Sequence, residues 1–172
     1  MAKDPDVRRI VVGVDGSAES VAALRWACRE ASLRAAEVHA VLALEAACHQ
    51  AASYAVPVPR QSTGSWGAAR EVLRRSVSEA VNLDPTVSVR TEITEGLAAR
   101  VLLDHARAAD MLVLGRTDHS PDPYRGAGPV IRACLRSAPC PVVVIGPGAG
   151  SDPGGHVPGS WHRTRPDLAA AR

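Results

Sequence analysis

The chain has 172 residues, enough for one compact domain with a real core and too short for two comfortable ones. Its 20 lysines and arginines nearly balance 18 acidic residues, and the formal charge of +2 excludes the concentrated basic surface of a nucleic-acid binder. The longest apolar run near the start, IVVGV at 10–14, is far below membrane-span or signal-peptide length, so no membrane partner is expected and the chain is assigned to the cytoplasm.

The elements alternate along the chain. Residues 10–14 read as a strand, and Val21, Leu24, Cys28 and Ala31 then repeat at helical spacing over 17–35, with Ser17 as N-cap. The continuous apolar run 38–44 reads as a strand covered on both faces, as in a central parallel strand. An irregular stretch over 45–64, with Pro57, Pro59 and Gly64, is long enough to suggest a lid. A helical pattern follows through Ala69, Leu73, Ser76, Val77 and Ala80. Residues 87–93, VSVRTEI, alternate apolar with polar, which marks a strand nearer a sheet edge.

After Gly96, an apolar stripe of Leu97, Val101, Leu102, His105 and Ala109 marks a helix, with His105 read as a hydrogen-bonded core or boundary histidine. MLVL at 111–114 is a short buried strand ending at Gly115. Val130, Ile131, Cys134 and Leu135 mark a last helix, stopped by Pro139 and Pro141, and residues 142–145 form the last strand. Of the four cysteines, Cys28 and Cys134 fall on apolar helix faces, Cys140 between two prolines and Cys48 in the long loop. None forms a C-x-x-C pair or has a His at zinc spacing, so free thiols are expected. Strands joined by helix-bearing crossovers demand a parallel sheet with helices on both faces, and such sheets bind ligands at their carboxyl edge. Residues 148–172, rich in Gly, Pro, Ser and Arg with Trp161 and Leu168 as the only large apolar residues, read as a disordered tail beyond a domain at 7–147.

The loop GRTDHSPDPYRGAG at 115–128 joins a buried strand to a helix whose free N-terminal amides form an anion site in principle. Asp15, at the end of the first strand, falls at the same carboxyl edge. Its carboxylate can hydrogen-bond a ribose or hold a magnesium ion, or Asp15-Gly16-Ser17 can be a helix-capping turn with no ligand; spacing alone leaves both open.

The segments RRIVVGVDGSAESVAALRWA at 8–27 and ADMLVLGRTDHS with GAGPVIRACLRSAPCPVVVIG at 109–146 resemble the two ends of a universal stress protein. That resemblance implies a single Rossmann-like α/β domain with a five-stranded parallel sheet in the order 3-2-1-4-5. It also implies ATP, with Mg2+, held through a Gly-x-x-Gly-nine-residues-Gly-Ser/Thr signature, and a homodimer through the last strand, Val142–Ile145. Gly115 and Gly128 match the first and third glycines, and Asp15 the acidic residue after strand one. Ala43 falls at the adenine-side position of strand two, and Leu114 and Val130 at further adenine and phosphate neighbours.

Two positions depart from the signature. Asp118 replaces the second glycine and places a negative charge near the phosphates, and Pro129 replaces the Ser or Thr, removing an amide donor and a hydroxyl. Arg116 and Arg125 lie in the same loop, either offsetting part of that loss or standing as solvated surface charges. Ser17 has no positioned His, and Asp118, His119 and Asp122 show no metal pattern, so the expected function is a stress-response protein binding an adenine nucleotide, with slow hydrolysis at most. The alternative is a ligand-free regulatory homodimer with a vestigial phosphate loop, acting through an unidentified protein partner or the 45–64 segment. An adenylyl-transferring enzyme would need acceptor-substrate residues that the sequence does not display.

Overall fold

The computed structural model describes residues 8–45, 66–81, 87–116 and 127–146. The 45–64 lid beyond Glu45, the 148–172 tail, Cys48, Asp118, His119, Asp122 and Arg125 lie outside the described residues. Five strands and four helices alternate among them: β1 (Arg8–Gly13), α1 (Ala18–Arg34), β2 (Ala36–Leu44), α2 (Trp66–Val81), β3 (Val89–Glu95), α3 (Ala98–Ala106), β4 (Met111–Gly115), α4 (Pro129–Ser137) and β5 (Val142–Ile145). All strand pairs are parallel, in the order β3-β2-β1-β4-β5. The expected architecture is therefore present, with β3 and β5 as its margins.

Strand alternation sends side chains to two cores. Ile10 and Val12 of β1 join Val38, Ala40 and Leu42 of β2 beneath α1 and α2, whereas Val11 and Val41 join Leu112 and Leu114 beneath α3 and α4. Val11, Val12, Val38 and Val113 are fully buried, as central parallel strands require. Cys28 and Cys134 are buried core filler, and burial, with the nearby Cys140 charge adding to it, pushes the Cys134 thiol up to about 11.

Several sequence expectations shift: β3 runs over Val89–Glu95, two residues later than the 87–93 reading, and α3 ends at Ala106, short of Ala109. Leu97, counted in an apolar stripe, is the N-cap of α3 and is half exposed, so the helix begins one residue later. β1 and β2 each begin two residues earlier than the apolar runs, because polar residues at their starts find partners. Arg9 N–H donates to Asp110 Oδ2 at 2.7 Å. Glu37 and His39 are both buried: His39 Nε2 lies 2.9 Å from Glu37 Oε2, and Arg90 Nε on β3 donates to Glu37 Oε1. His105 is the boundary histidine expected, 3.3 Å from Thr94 Oγ1.

Burial pushes the Glu37 carboxyl up, but the hydrogen bond and charge of His39 and the Arg90 guanidinium outweigh it and hold the group below its ordinary range. A carboxyl depressed by folding contributes stability above its unfolded value and loses it as pH falls through the folded one. Glu37→Gln should therefore flatten the acid limb of the stability curve measured by denaturant titration at stepped pH; an unchanged acid limb would contradict the pairing.

Gly115, at the carboxyl end of β4, is where α1 crosses the sheet. A Cβ there would stand 2.4 Å from both the carbonyl carbon and oxygen of Glu19 and 2.7 Å from the Ser20 nitrogen. Those are backbone atoms in the first turn of α1 and cannot rotate away. Gly115→Ala should cost about 1–3 kcal/mol or more of stability, read as a fall in thermal midpoint, with or without any nucleotide present.

Candidate nucleotide cleft

Beyond β1 the chain must turn from strand to helix, and Asp15-Gly16-Ser17 does so through side-chain hydrogen bonds. Asp15 Oδ1 accepts from Ser17 N at 2.9 Å and from Ser17 Oγ at 2.6 Å. Ser17 Oγ in turn accepts from Ser20 N at 3.1 Å, which makes Ser17 the N-cap of α1 as the sequence suggested. Ser20 Oγ donates to Ser17 O at 2.9 Å and accepts from Asp15 N at 3.5 Å. Of the two readings left open for Asp15, the capping turn is thus realised. It does not use the whole carboxylate: among the described residues Oδ2 carries no hydrogen bond, and Asp15 is exposed.

Asp15 faces a cleft of about 410 Å³ at the carboxyl edge of the sheet, formed where β1 runs between β2 and β4 and the connections diverge to opposite faces. Seven of the residues singled out from sequence line it together: Asp15, Ala43, Leu114, Gly115, Gly128, Pro129 and Val130. The eighth, Asp118, lies outside the described residues. The floor is apolar, with Val41 and Ala43 from β2, Leu102 from α3 and Leu114 from β4. The polar part of the lining comes from Asp15, Ser17, Ser20 and Arg116, with the start of α4.

Sequence reasoning missed Ser20, Val41, Ala98, Leu102 and Ile131 as lining residues. Val41 was legible in principle, because it shares the face of Ala43 two residues away on one strand. Ala98 and Leu102 were not, since their place depends on how α3 packs across the sheet.

The start of α4 is built from Gly128 as N-cap and Pro129 as first helical residue, whose fixed φ suits that position. The first intrahelical bond is donated by Arg132 N–H to Gly128 O. Val130 and Ile131 therefore begin the helix with N–H groups that have no acceptor within it, while Pro129 has none to offer.

The two glycines of the cleft differ. Gly115 is required by the backbone of α1, where no side chain would fit. Gly128 has φ −61° and ψ 169°, a conformation open to other residues, and a Cβ built there meets nothing among the described residues within 4 Å. Nothing in the described fold demands glycine at that point, and Gly128 lines the cleft.

Among the described residues, no three His, Cys, Asp or Glu side chains gather to hold a metal, and no helix is long and apolar enough to cross a membrane. A larger cavity, of about 640 Å³, lies between α2 and β3. It lacks the convergent strand ends and helix amides of the carboxyl edge, so the smaller cleft is the better nucleotide candidate.

The model of the universal stress protein family matches residues 6–146. A universal stress protein of Mycolicibacterium smegmatis is 35% identical over 146 residues, covering 79% of this chain and 47% of the relative. The chain spans about half the length of the mycobacterial relatives it matches. Among solved structures, the universal stress protein of Archaeoglobus fulgidus is 25% identical with a TM-score of 0.61, over 80% of this chain and 98% of that one. A structure from the same organism in complex with dAMP is 24% identical with a TM-score of 0.59, over 80% and 97%. Sheet order, the strand-to-helix turn at Asp15 and the match over residues 6–146 agree: the chain belongs to the universal stress protein family.

Proposed function

We propose that the cleft at the carboxyl edge binds an adenine nucleotide, ATP included, and that the chain acts as a stress-response regulator with little or no hydrolysis. The observation that carries this reading is the convergence of Asp15, Ala43, Leu114, Gly115 and Gly128 with the start of α4 on one cleft at the carboxyl edge. The apolar floor of Val41, Ala43, Leu102 and Leu114 suits a purine base, and Asp15 Oδ2 can accept a ribose hydroxyl or serve Mg2+. Phosphate would meet the amides of Val130 and Ile131, with Arg116 on the rim. The dAMP complex of the Archaeoglobus fulgidus protein supports an adenine nucleotide as the ligand class.

Pro129 works against this function. It starts the helix well but removes an amide donor beside the phosphate position, a loss of about 1.5–3 kcal/mol for a charge-assisted bond. Titration calorimetry with ATP and AMP separates the contributions. Gly128→Val should leave stability within about 1 kcal/mol of wild type, because a Cβ there meets nothing among the described residues, yet weaken nucleotide binding about tenfold or more. Pro129→Ser should bind more tightly than wild type. Absence of saturable binding by wild type would favour the other reading, a regulatory homodimer with a vestigial phosphate loop.

The dimer part of the reading rests on β5. The carbonyls of Pro141 and Ile145 accept from Leu112 and Arg116 on β4, so the alternate residues Val142 and Val144 turn their backbone groups to the opposite, marginal side. An apolar VVVI edge is stabilised by pairing with its own copy. Val144→Pro removes a donor from that side only, and sedimentation should then show folded monomer at low micromolar concentration in moderate salt, where wild type is dimeric.

A further inference from the structure

The opposite margin, β3, carries a pattern that pairing within this sheet does not use. Val38 N–H donates to Ser88 O, and Gly96 N–H donates to Leu44 O, so the even-numbered residues of β3 turn their backbone groups to β2. Val89, Thr91 and Ile93 therefore present theirs at the side of β3 that no other strand of the described sheet pairs with. Around Thr91 the sequence reads Val89-Arg90-Thr91-Glu92-Ile93, apolar-basic-neutral-acidic-apolar, which is its own complement when reversed.

We infer that the β3 edge is a self-complementary interface on which two copies of this chain pair as antiparallel strands about a two-fold axis at Thr91. In that register Thr91 faces Thr91 of the second copy, and Val89 faces Ile93, each as a bonded pair exchanging both N–H···O bonds. Arg90 of each copy stands opposite Glu92 of the other in the closer, non-bonded positions, so two ion pairs form across the seam. Registers displaced by one pair in either direction lose this: one sets Glu92 opposite Glu92, the other Arg90 opposite Arg90.

The groups needed are accessible. The Arg90 side chain is 63% exposed although its Nε binds Glu37, and a guanidinium keeps further donors. The Glu92 side chain is 53% exposed, with His105 Nε2 at 3.6 Å as its neighbour. On the α2 face, the cavity of about 640 Å³ lined by half-exposed Trp66, Arg70, Thr91 and Ile93 runs along the same edge and leaves room for an incoming strand.

Because this seam depends on exposed ion pairs, it should weaken with salt, unlike pairing of the apolar β5 edge. Analytical ultracentrifugation of the full chain, over a concentration series at low and high salt, tests it. Wild type should show a salt-sensitive association step that Thr91→Pro abolishes, since that proline removes only an outward donor and leaves the β2 ladder intact. Glu92→Arg, which sets like charges opposite each other, should weaken the step about tenfold or more, and Val144→Pro should leave it in place. Unchanged far-ultraviolet dichroism and thermal midpoint would show that Thr91→Pro is folded. Wild type without a salt-sensitive step, or a step that persists in both folded Thr91→Pro and Glu92→Arg, overturns the inference. Loss of the β5 dimer alone does not touch it.

Discussion

The cleft depends on one close approach: the first turn of α1 lies against the last residue of β4 with no space for a side chain at Gly115. That contact fixes where α1 begins above the sheet. With its start fixed, the chain leaving β1 has only Val14 to Ser17 in which to turn, and Asp15 is held at the rim by accepting from Ser17 N and Oγ and by donating its own N–H to Ser20 Oγ. Ser20 is itself buried against this junction, which ties the cap of the helix to the packing of the helix. Fold stability and site geometry are thus coupled through a few backbone atoms.

The opposite wall is constrained differently. Gly128 and Pro129 start α4 without any side-chain cap, so the wall is made of backbone and is positioned by the packing of Ile131 and Cys134 into the α3 and α4 core. A wall of that kind leaves a Cβ at Gly128 without a neighbour among the described residues, and two amides without intrahelical acceptors. It also tolerates proline at the first helical position, a residue neutral for the fold and costly only if an anion has to be bound there. Stability and binding therefore exert opposite pressures on one residue, and the helix start takes its more rigid form.

Much of this was legible in the residues. The short apolar runs at 111–114 and 142–145, bounded by Gly115 and by Pro141, located β4 and β5 because buried parallel strands need no alternation and glycine and proline end them. Ser17 announced the start of α1 through its capping chemistry. Hydropathy failed where polar side chains satisfy one another in three dimensions. Glu37 sits inside β2, outside the 38–44 run, because His39 and Arg90, the latter far along the chain on β3, pair with it, and no local pattern encodes Arg90 as a partner. Leu97 failed in the reverse sense, an apolar residue at helical spacing that caps the helix in solvent. Gly115 was found by its motif, but the packing that requires glycine there was not, since its neighbour across the fold, Glu19, is invisible to spacing.

The central claim is that an adenine nucleotide occupies the carboxyl-edge cleft, and a heteronuclear NMR titration of the chain with AMP and ATP tests it most directly. Saturable amide shifts should concentrate at Val14, Asp15, Ser17, Val41 to Ala43, Gly115, Arg116, Gly128, Val130 and Ile131, residues of the two walls and floor. Shifts confined to the α2 and β3 cavity around Trp66 and Thr91, or no saturable shifts with either nucleotide, would contradict the account.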